Sequence, residues 1–216
     1  MKQARNFLLF SLFFFTLVSP LWAQHSGPYL GIFVGGQLLS PAESEDSLGT
    51  FNLEYRPAPS GSVVLGWELE PGSNLGDGRI EVEYTRRSNR LDQVEFKEGK
   101  VKGDGDLTVD SLLFNTFGVY HSASRLTPYF GAGIGVARIA AADLTVSGQP
   151  LSDDDVLVLA YQLGAGFEVE LTQSLVLDFG YRLFSGTKAK FTEDNGDEVK
   201  TEYLSHSAMI GLRFGF

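Results

Sequence analysis

From residue 27 to residue 216 apolar and polar side chains alternate one by one, the period of a β-strand and not of a helix. Between residues 157 and 170, Leu157, Leu159, Tyr161, Leu163, Ala165, Phe167 and Val169 fall on one face, while Val158, Ala160, Gln162, Gly164, Gly166, Glu168 and Glu170 fall on the other. Residues 175–184 repeat the arrangement, with Leu175, Leu177, Phe179, Tyr181 and Leu183 set against Val176, Asp178, Gly180, Arg182 and Phe184. A helix would scatter both sets around its circumference.

The last segment sets Leu204, Ala208, Ile210, Leu212, Phe214 and Phe216 against Tyr203, Ser205, Ser207, Met209, Gly211, Arg213 and Gly215, with His206 the one polar residue on the apolar face. Residues 30–38, 62–70, 79–87 and 128–141 read the same way. Residues 107–120 also read as a strand, but the consecutive Leu112, Leu113 and Phe114 leave its facing open. The pattern thus predicts eight strands, each supplying the 9–11 residues that a tilted membrane strand needs. Four connections are long and charged (40–61, 89–106, 142–155 and 185–201), and three are short (71–78, 121–127 and 172–174). Long loops on one side and short turns on the other, with both chain ends on the short-turn side, fit an up-and-down barrel.

Alternation alone does not separate a membrane barrel from a soluble one. The content of the polar face does. It carries Glu68, Glu81, Glu83, Arg87, Glu168, Asp178, Arg182 and Arg213 among many glycines. Small residues and ions of both signs suit the narrow interior of an eight-stranded barrel, whereas glycine on a water-facing exterior would only weaken the strands. An unpaired charge in such a space is costly, so Arg182 is expected beside Asp178, and Arg213 opposite acids of neighbouring strands. The apolar face, with Trp67, Tyr84, Phe130, Phe167, Tyr181 and Phe214, suits acyl chains and their aromatic girdles. The fold expected is all-β, an eight-stranded antiparallel transmembrane barrel.

The C-terminal run Met209-Ile210-Gly211-Leu212-Arg213-Phe214-Gly215-Phe216 and the glycine-rich run Pro128-Tyr129-Phe130-Gly131-Ala132-Gly133-Ile134-Gly135 resemble those of the small outer-membrane β-barrel proteins, of the OmpA transmembrane-domain and opacity-antigen type. The resemblance covers all of residues 24–216. It implies a Gram-negative outer-membrane location, and a role for Ile210, Leu212, Phe214 and Phe216 as the signal read by the barrel-assembly machinery.

The N-terminus adds an export reading. Lys2 and Arg5 precede an apolar stretch from Phe7 to Val18, followed by Pro20, Trp22 and Ala23, which predicts a signal peptide over residues 1–23 and a mature domain over 24–216. The net charge of -10 argues against nucleic acid, and the absence of cysteine excludes disulfides, thiol chemistry and Cys-based zinc.

Chemistry is sparse. His206 lies on the apolar parity with Ser205 and Ser207 facing away, His121 falls at a short turn, and His25 falls near the start of the mature chain. Asp153-Asp154-Asp155 and Asp194-Asn195-Gly196-Asp197-Glu198 match no calcium-loop spacing and read as solvated loop acids. No cofactor or metal site is expected. The reading is a non-enzymatic barrel with a structural or surface-interaction role, its lumen plugged by paired charges, in contact with outer-membrane lipids and lipopolysaccharide and with a surface partner met through the long loops. The alternatives are a narrow channel for ions or small solutes, and a lipid-modifying enzyme centred on His206.

Overall fold

The computed structural model describes residues 26–216 apart from 41, 47–48, 70–76, 97–98, 121–125, 147–148, 153–154, 188, 193–197 and 202. The segment read as a signal peptide, His25, His121, Glu70, Asp153, Asp154 and 194–197 therefore lie outside the described residues.

Among the described residues thirteen strands follow in order: β1 (Gly27–Leu39), β2 (Ala42–Asp46), β3 (Gly49–Tyr55), β4 (Ala58–Glu68), β5 (Gly78–Phe96), β6 (Gly99–Val119), β7 (Thr127–Val146), β8 (Gln149–Ser152), β9 (Asp155–Thr172), β10 (Leu175–Gly186), β11 (Ala189–Thr192), β12 (Glu198–Thr201) and β13 (Leu204–Gly215). Eight of them, β1, β4, β5, β6, β7, β9, β10 and β13, pair antiparallel each with the next. β13 returns to β1 in unbroken register from Tyr29↔Gly215 to Leu39↔Ser205, and this closes the ring. Closure gives every ring strand a partner on both sides, the condition for strands to survive in hydrocarbon.

The long connections depart from expectation, because much of their length is paired sheet. β5 and β6 stay together out to Phe96↔Gly99, β3 adds to β5, β2 to β3, β12 to β2, and β8 to β7. Hydrogen-bonding partners were at hand for these segments, and the 3.6-residue and 2-residue periods give no warning of where a strand leaves the membrane. β6 is 21 residues long, about twice what the bilayer requires. The β6–β7 pairing shifts register between Asp104 and Asp106, at Gly105, whose φ of 128° favours glycine.

The facing that the sequence left open on β6 is decided by its neighbour. Directly opposed residues point to the same side of a sheet, and Leu113 is opposed to the inward Glu83. Leu113 is accordingly buried inside, while Leu112 and Phe114 point outward.

The outer surface is apolar over one band only. On β7, Phe130, Ile134 and Val136 face outward, Ile134 with 65 % of its surface exposed, before Arg138 ends the run. On β5, Ile80, Val82 and Tyr84 give way to Arg86, and on β6 Phe114 and Leu112 give way to Asp110. Arg86, Asp110 and Arg138 are cross-strand neighbours, so the loop-side edge of the band lies level on three strands. Trp67, Phe130, Phe167 and Phe214 face outward near the opposite edge. An apolar belt of this extent belongs against lipid, since soluble monomers rarely expose more than a few hundred Å² in one patch. The crossing is made by the ring strands that carry this band; among the described residues no helix is long and apolar enough to cross a membrane.

Candidate functional site: the sealed lumen

Inside the ring, side chains form three tiers. The lowest, at the short-turn end, is ionic. Arg79 is fully buried and reaches three carboxylates, with Nε donating to Glu81 at 2.7 Å, Nη1 to Glu168 at 2.8 Å and Nη2 to Asp178 at 3.4 Å. Arg213 donates from Nη1 to Glu68 at 3.3 Å and from Nη2 to Glu168, and its Nε lies 3.5 Å from Asp178. Two tyrosine hydroxyls complete the acids, Tyr29 donating to Glu81 and Tyr129 to Asp178, both at 2.6 Å. Hydrogen-bonded ion pairs of this kind are what a low-dielectric interior requires if charge is to be held there.

The guanidiniums also lie on aromatic faces. Arg79 sits 4.1 Å from the Tyr129 ring centre, and Arg182 sits 4.9 Å from that of Phe117. The inward glycines make room for these rings: a Cβ at Gly66 would collide with Tyr29, one at Gly166 with Tyr129, and one at Gly211 with Phe33. Glycine on the inner face thus serves as a slot for a particular ring as well as a general economy of space.

Above the ionic tier lies a mainly uncharged one that holds Glu83 and Arg87. Glu83 accepts from Ser62 at 3.3 Å, Thr85 at 2.8 Å, Asn115 at 2.6 Å and Gln162 at 3.1 Å. Arg87 donates from Nη1 to Ser111 at 2.8 Å and lies 4.0 Å above the ring of Phe184.

The top tier is apolar, which the sequence reading of a small or polar inner face did not anticipate. Leu39, Leu91, Val94, Leu107, Val109, Leu113, Ile139, Val158, Phe184 and Tyr203 pack together there, with Ala137, Ala141 and Ala160. Above the level of Arg86 and Arg138 the strands have reversed their polarity, ionic side chains outside and aliphatic ones inside, as in a soluble barrel.

Of the residues singled out from sequence, Glu81, Glu83, Arg87, Glu168, Asp178, Arg182 and Arg213 are all buried in this interior, and Glu68 is half-buried at its rim. The direct pairing expected between Arg182 and Asp178 does not form. Arg182 Nη1 donates instead to the Tyr129 hydroxyl at 3.3 Å, and that hydroxyl links it to Asp178, which is already occupied by Arg79 and Arg213. Arg79, the hub of the lowest tier, was not singled out, nor were Tyr29 and Tyr129. Their inward parity follows from Glu81, Leu30 and Phe130, and that signal was present in the sequence.

His206 is half-buried on the outer face, as its parity implied. Its Nδ1 shares a hydrogen bond with the Tyr181 hydroxyl at 2.5 Å, and its Nε2 shares one with Ser40 Oγ at 3.2 Å. Ser205 and Ser207 point inward, and among the described residues no carboxylate joins the histidine. No group of three or more His, Cys, Asp or Glu side chains able to hold a metal ion occurs among the described residues.

A closed antiparallel ring, apolar outside over one membrane-high band and ionic within, defines a transmembrane β-barrel of the outer-membrane class. The chain belongs to the outer membrane protein beta-barrel domain family, whose model matches residues 7–215, and it is a protein of the bacterial outer membrane. It is similar to outer membrane protein PagN of Salmonella typhimurium, at 20 % identity over 94 % of this chain and 99 % of the relative. Two crystal structures share its fold at a TM-score of 0.55. Neisserial surface protein A is 20 % identical, with 88 % of this chain and 98 % of that one covered; OprG from Pseudomonas aeruginosa is 15 % identical, with 89 % and 98 % covered.

Proposed function

We propose that this protein is a non-enzymatic outer-membrane barrel that presents a stiff β-structured surface outside the cell and conducts no solute through its lumen. The observation that carries this reading is the three-tiered interior. Arg79 and Arg213 bridge acids from four strands, Glu83 and Arg87 sit in a polar layer, and the aliphatic cluster closes the loop side. An ion entering from either side would have to break paired charges or dehydrate against aliphatic side chains, and each barrier is high in a low-dielectric space. The display role is supported by the pairing of the segments beyond the membrane, where a partner would meet preordered backbone and lose little entropy in docking.

Reconstitution in planar bilayers tests the seal. The membrane is expected to stay electrically silent at moderate voltage, and discrete single-channel steps at each insertion would establish the narrow-channel alternative.

The reading also takes residues 1–23 as an export signal, and outer-membrane lipids and lipopolysaccharide as the surroundings of the apolar band. It assigns Ile210, Leu212, Phe214 and Phe216 to recognition by the barrel-assembly machinery. Phe216 is well placed for that, exposed at the end of β13 with its N–H bonded to the Pro28 carbonyl at 3.2 Å. Removing Phe216 is expected to lower the amount of folded protein at the cell surface while leaving the in vitro unfolding midpoint almost unchanged. Equal surface abundance of the truncated and intact proteins would remove the assignment.

A further inference from the structure

Polar atoms buried without a partner point to something else that satisfies them. Among the described residues, ten buried side-chain nitrogen and oxygen atoms have no hydrogen-bond partner. Six of these lie on four consecutive strands of the ring, β5, β4, β1 and β13, or, for Tyr203, directly before β13: Arg87 Nε, Ser60 Oγ, Gln37 Oε1, Tyr203 Oη, Ser205 Oγ and Ser207 Oγ. They share one level. Ser60 is the cross-strand partner of Arg87, Gln37 is that of Ser207, and Gln37 reaches Asn89 on β5. Arg87 lies over Phe184, which in turn is opposed to Ser205 and packs edge-on against Tyr203 at 5.7 Å. The guanidinium and the three serine hydroxyls are therefore gathered between the ionic tier and the aliphatic one, with the Tyr203 hydroxyl at the edge of the aliphatic tier.

Arg87 is the unusual member. It is 1 % exposed, and no carboxylate among the described residues lies within ion-pair distance of it. The acid on the same inward face, Glu83, has its two oxygens taken by Ser62, Thr85, Asn115 and Gln162. A buried cation whose neighbours are hydroxyl donors lacks a counter-charge at contact, and burial without one is costly. Five of the six orphaned atoms are donors or can act as such, namely the Arg87 Nε–H and the hydroxyls of Ser60, Tyr203, Ser205 and Ser207; only Gln37 Oε1 cannot donate. Donors converging on a cation favour an anion over a cation or a neutral apolar group.

We propose that this level of the lumen is a binding site for one small inorganic anion of halide size, held by Arg87 Nε–H and the hydroxyls of Ser60, Tyr203, Ser205 and Ser207. The site ties β5 and β4 to β13 across the closure of the ring, so the anion acts as a structural ion and not as a permeating one. It needs no open pore and stands apart from the outcome of the conductance measurement.

Bromide is the probe. Crystals of the refolded protein grown in sodium bromide are expected to show one anomalous peak inside the barrel, within about 3.5 Å of Arg87 Nε, a reach set by hydrogen-bond geometry. In phospholipid vesicles at fixed ionic strength, exchanging gluconate for chloride or bromide is expected to slow unfolding, by roughly tenfold once the halide is about ten times its dissociation constant. Arg87→Gln is expected to abolish that dependence while the protein still shows the heat-modified gel mobility of a folded barrel. If Arg87→Gln does not fold, the double variant Ser60→Ala, Ser207→Ala carries the same test with the guanidinium kept, and its halide dependence is expected to weaken. Density for ordered water alone at this level, with no anomalous signal and no halide effect on the wild-type unfolding rate, overturns the proposal.

Discussion

Replacing Arg79 by methionine is expected to destabilise the folded barrel by about 3–5 kcal/mol, the range for breaking a buried ion pair by removing one partner. The size follows from what is left behind. Glu81, Glu168 and Asp178 would keep Arg213 and the two tyrosine hydroxyls, but each would lose a guanidinium donor in a space that water does not reach freely. The ring of Tyr129 would lose the cation lying 4.1 Å from its centre. Urea titration in vesicles, followed by the mobility shift of unheated samples, measures the loss. A second substitution separates charge from packing: Arg79→Met combined with Glu168→Gln should recover part of the stability, because it removes one of the stranded charges. If Arg79→Met unfolds at the wild-type urea concentration, the lowest tier is not the sealed ionic plug described above.

Ile134→Arg tests the opposite face. Ile134 stands outward on β7 between Phe114 of β6 and Tyr161 of β9, all three apolar and half or more exposed to the surroundings of the ring. A guanidinium there is expected to cost about 2–4 kcal/mol, the depth-dependent penalty for an arginine near the bilayer midplane. The native Arg138, farther along the same face, carries its charge at the edge of the band, paired with Asp155 at 2.7 Å. A reversible folding titration that finds Ile134→Arg as stable as wild type would mean that this face does not meet hydrocarbon.

Most of the ring was legible in the sequence because one rule governs it. Period-two alternation identified the eight membrane strands, and the charge and glycine content of one face showed which side is inner. Strand β6 resisted because Leu113, an inward residue, is as apolar as the outward Leu112 and Phe114 beside it; only its pairing with Glu83 decides the facing. Arg79 escaped notice because it begins its strand, directly after Gly78, where a charge usually belongs to a turn. The bridging role of Tyr129 could not be read at all. It depends on the ring crossing from β7 to Asp178 on β10 and Arg182 beyond it, a long-range meeting that alternation within a strand does not encode. The aliphatic upper tier was missed for another reason: the alternation keeps its phase above the membrane while its polarity turns over, so Leu107 and Val109 look like lipid-facing residues out of step.

That reversal of polarity fixes the protein's depth. Like the waterline on a hull, the level of Arg86, Asp110 and Arg138 admits little vertical play, because strands can sink only by dragging charged groups into oil and rise only by lifting Tyr84, Leu112 and Val136 into water. One pleat is about 7 Å along a strand, so a displacement of that size in either direction meets a restoring force on β5, β6 and β7. The molecule is thereby moored at one height in the leaflet, whatever it meets outside.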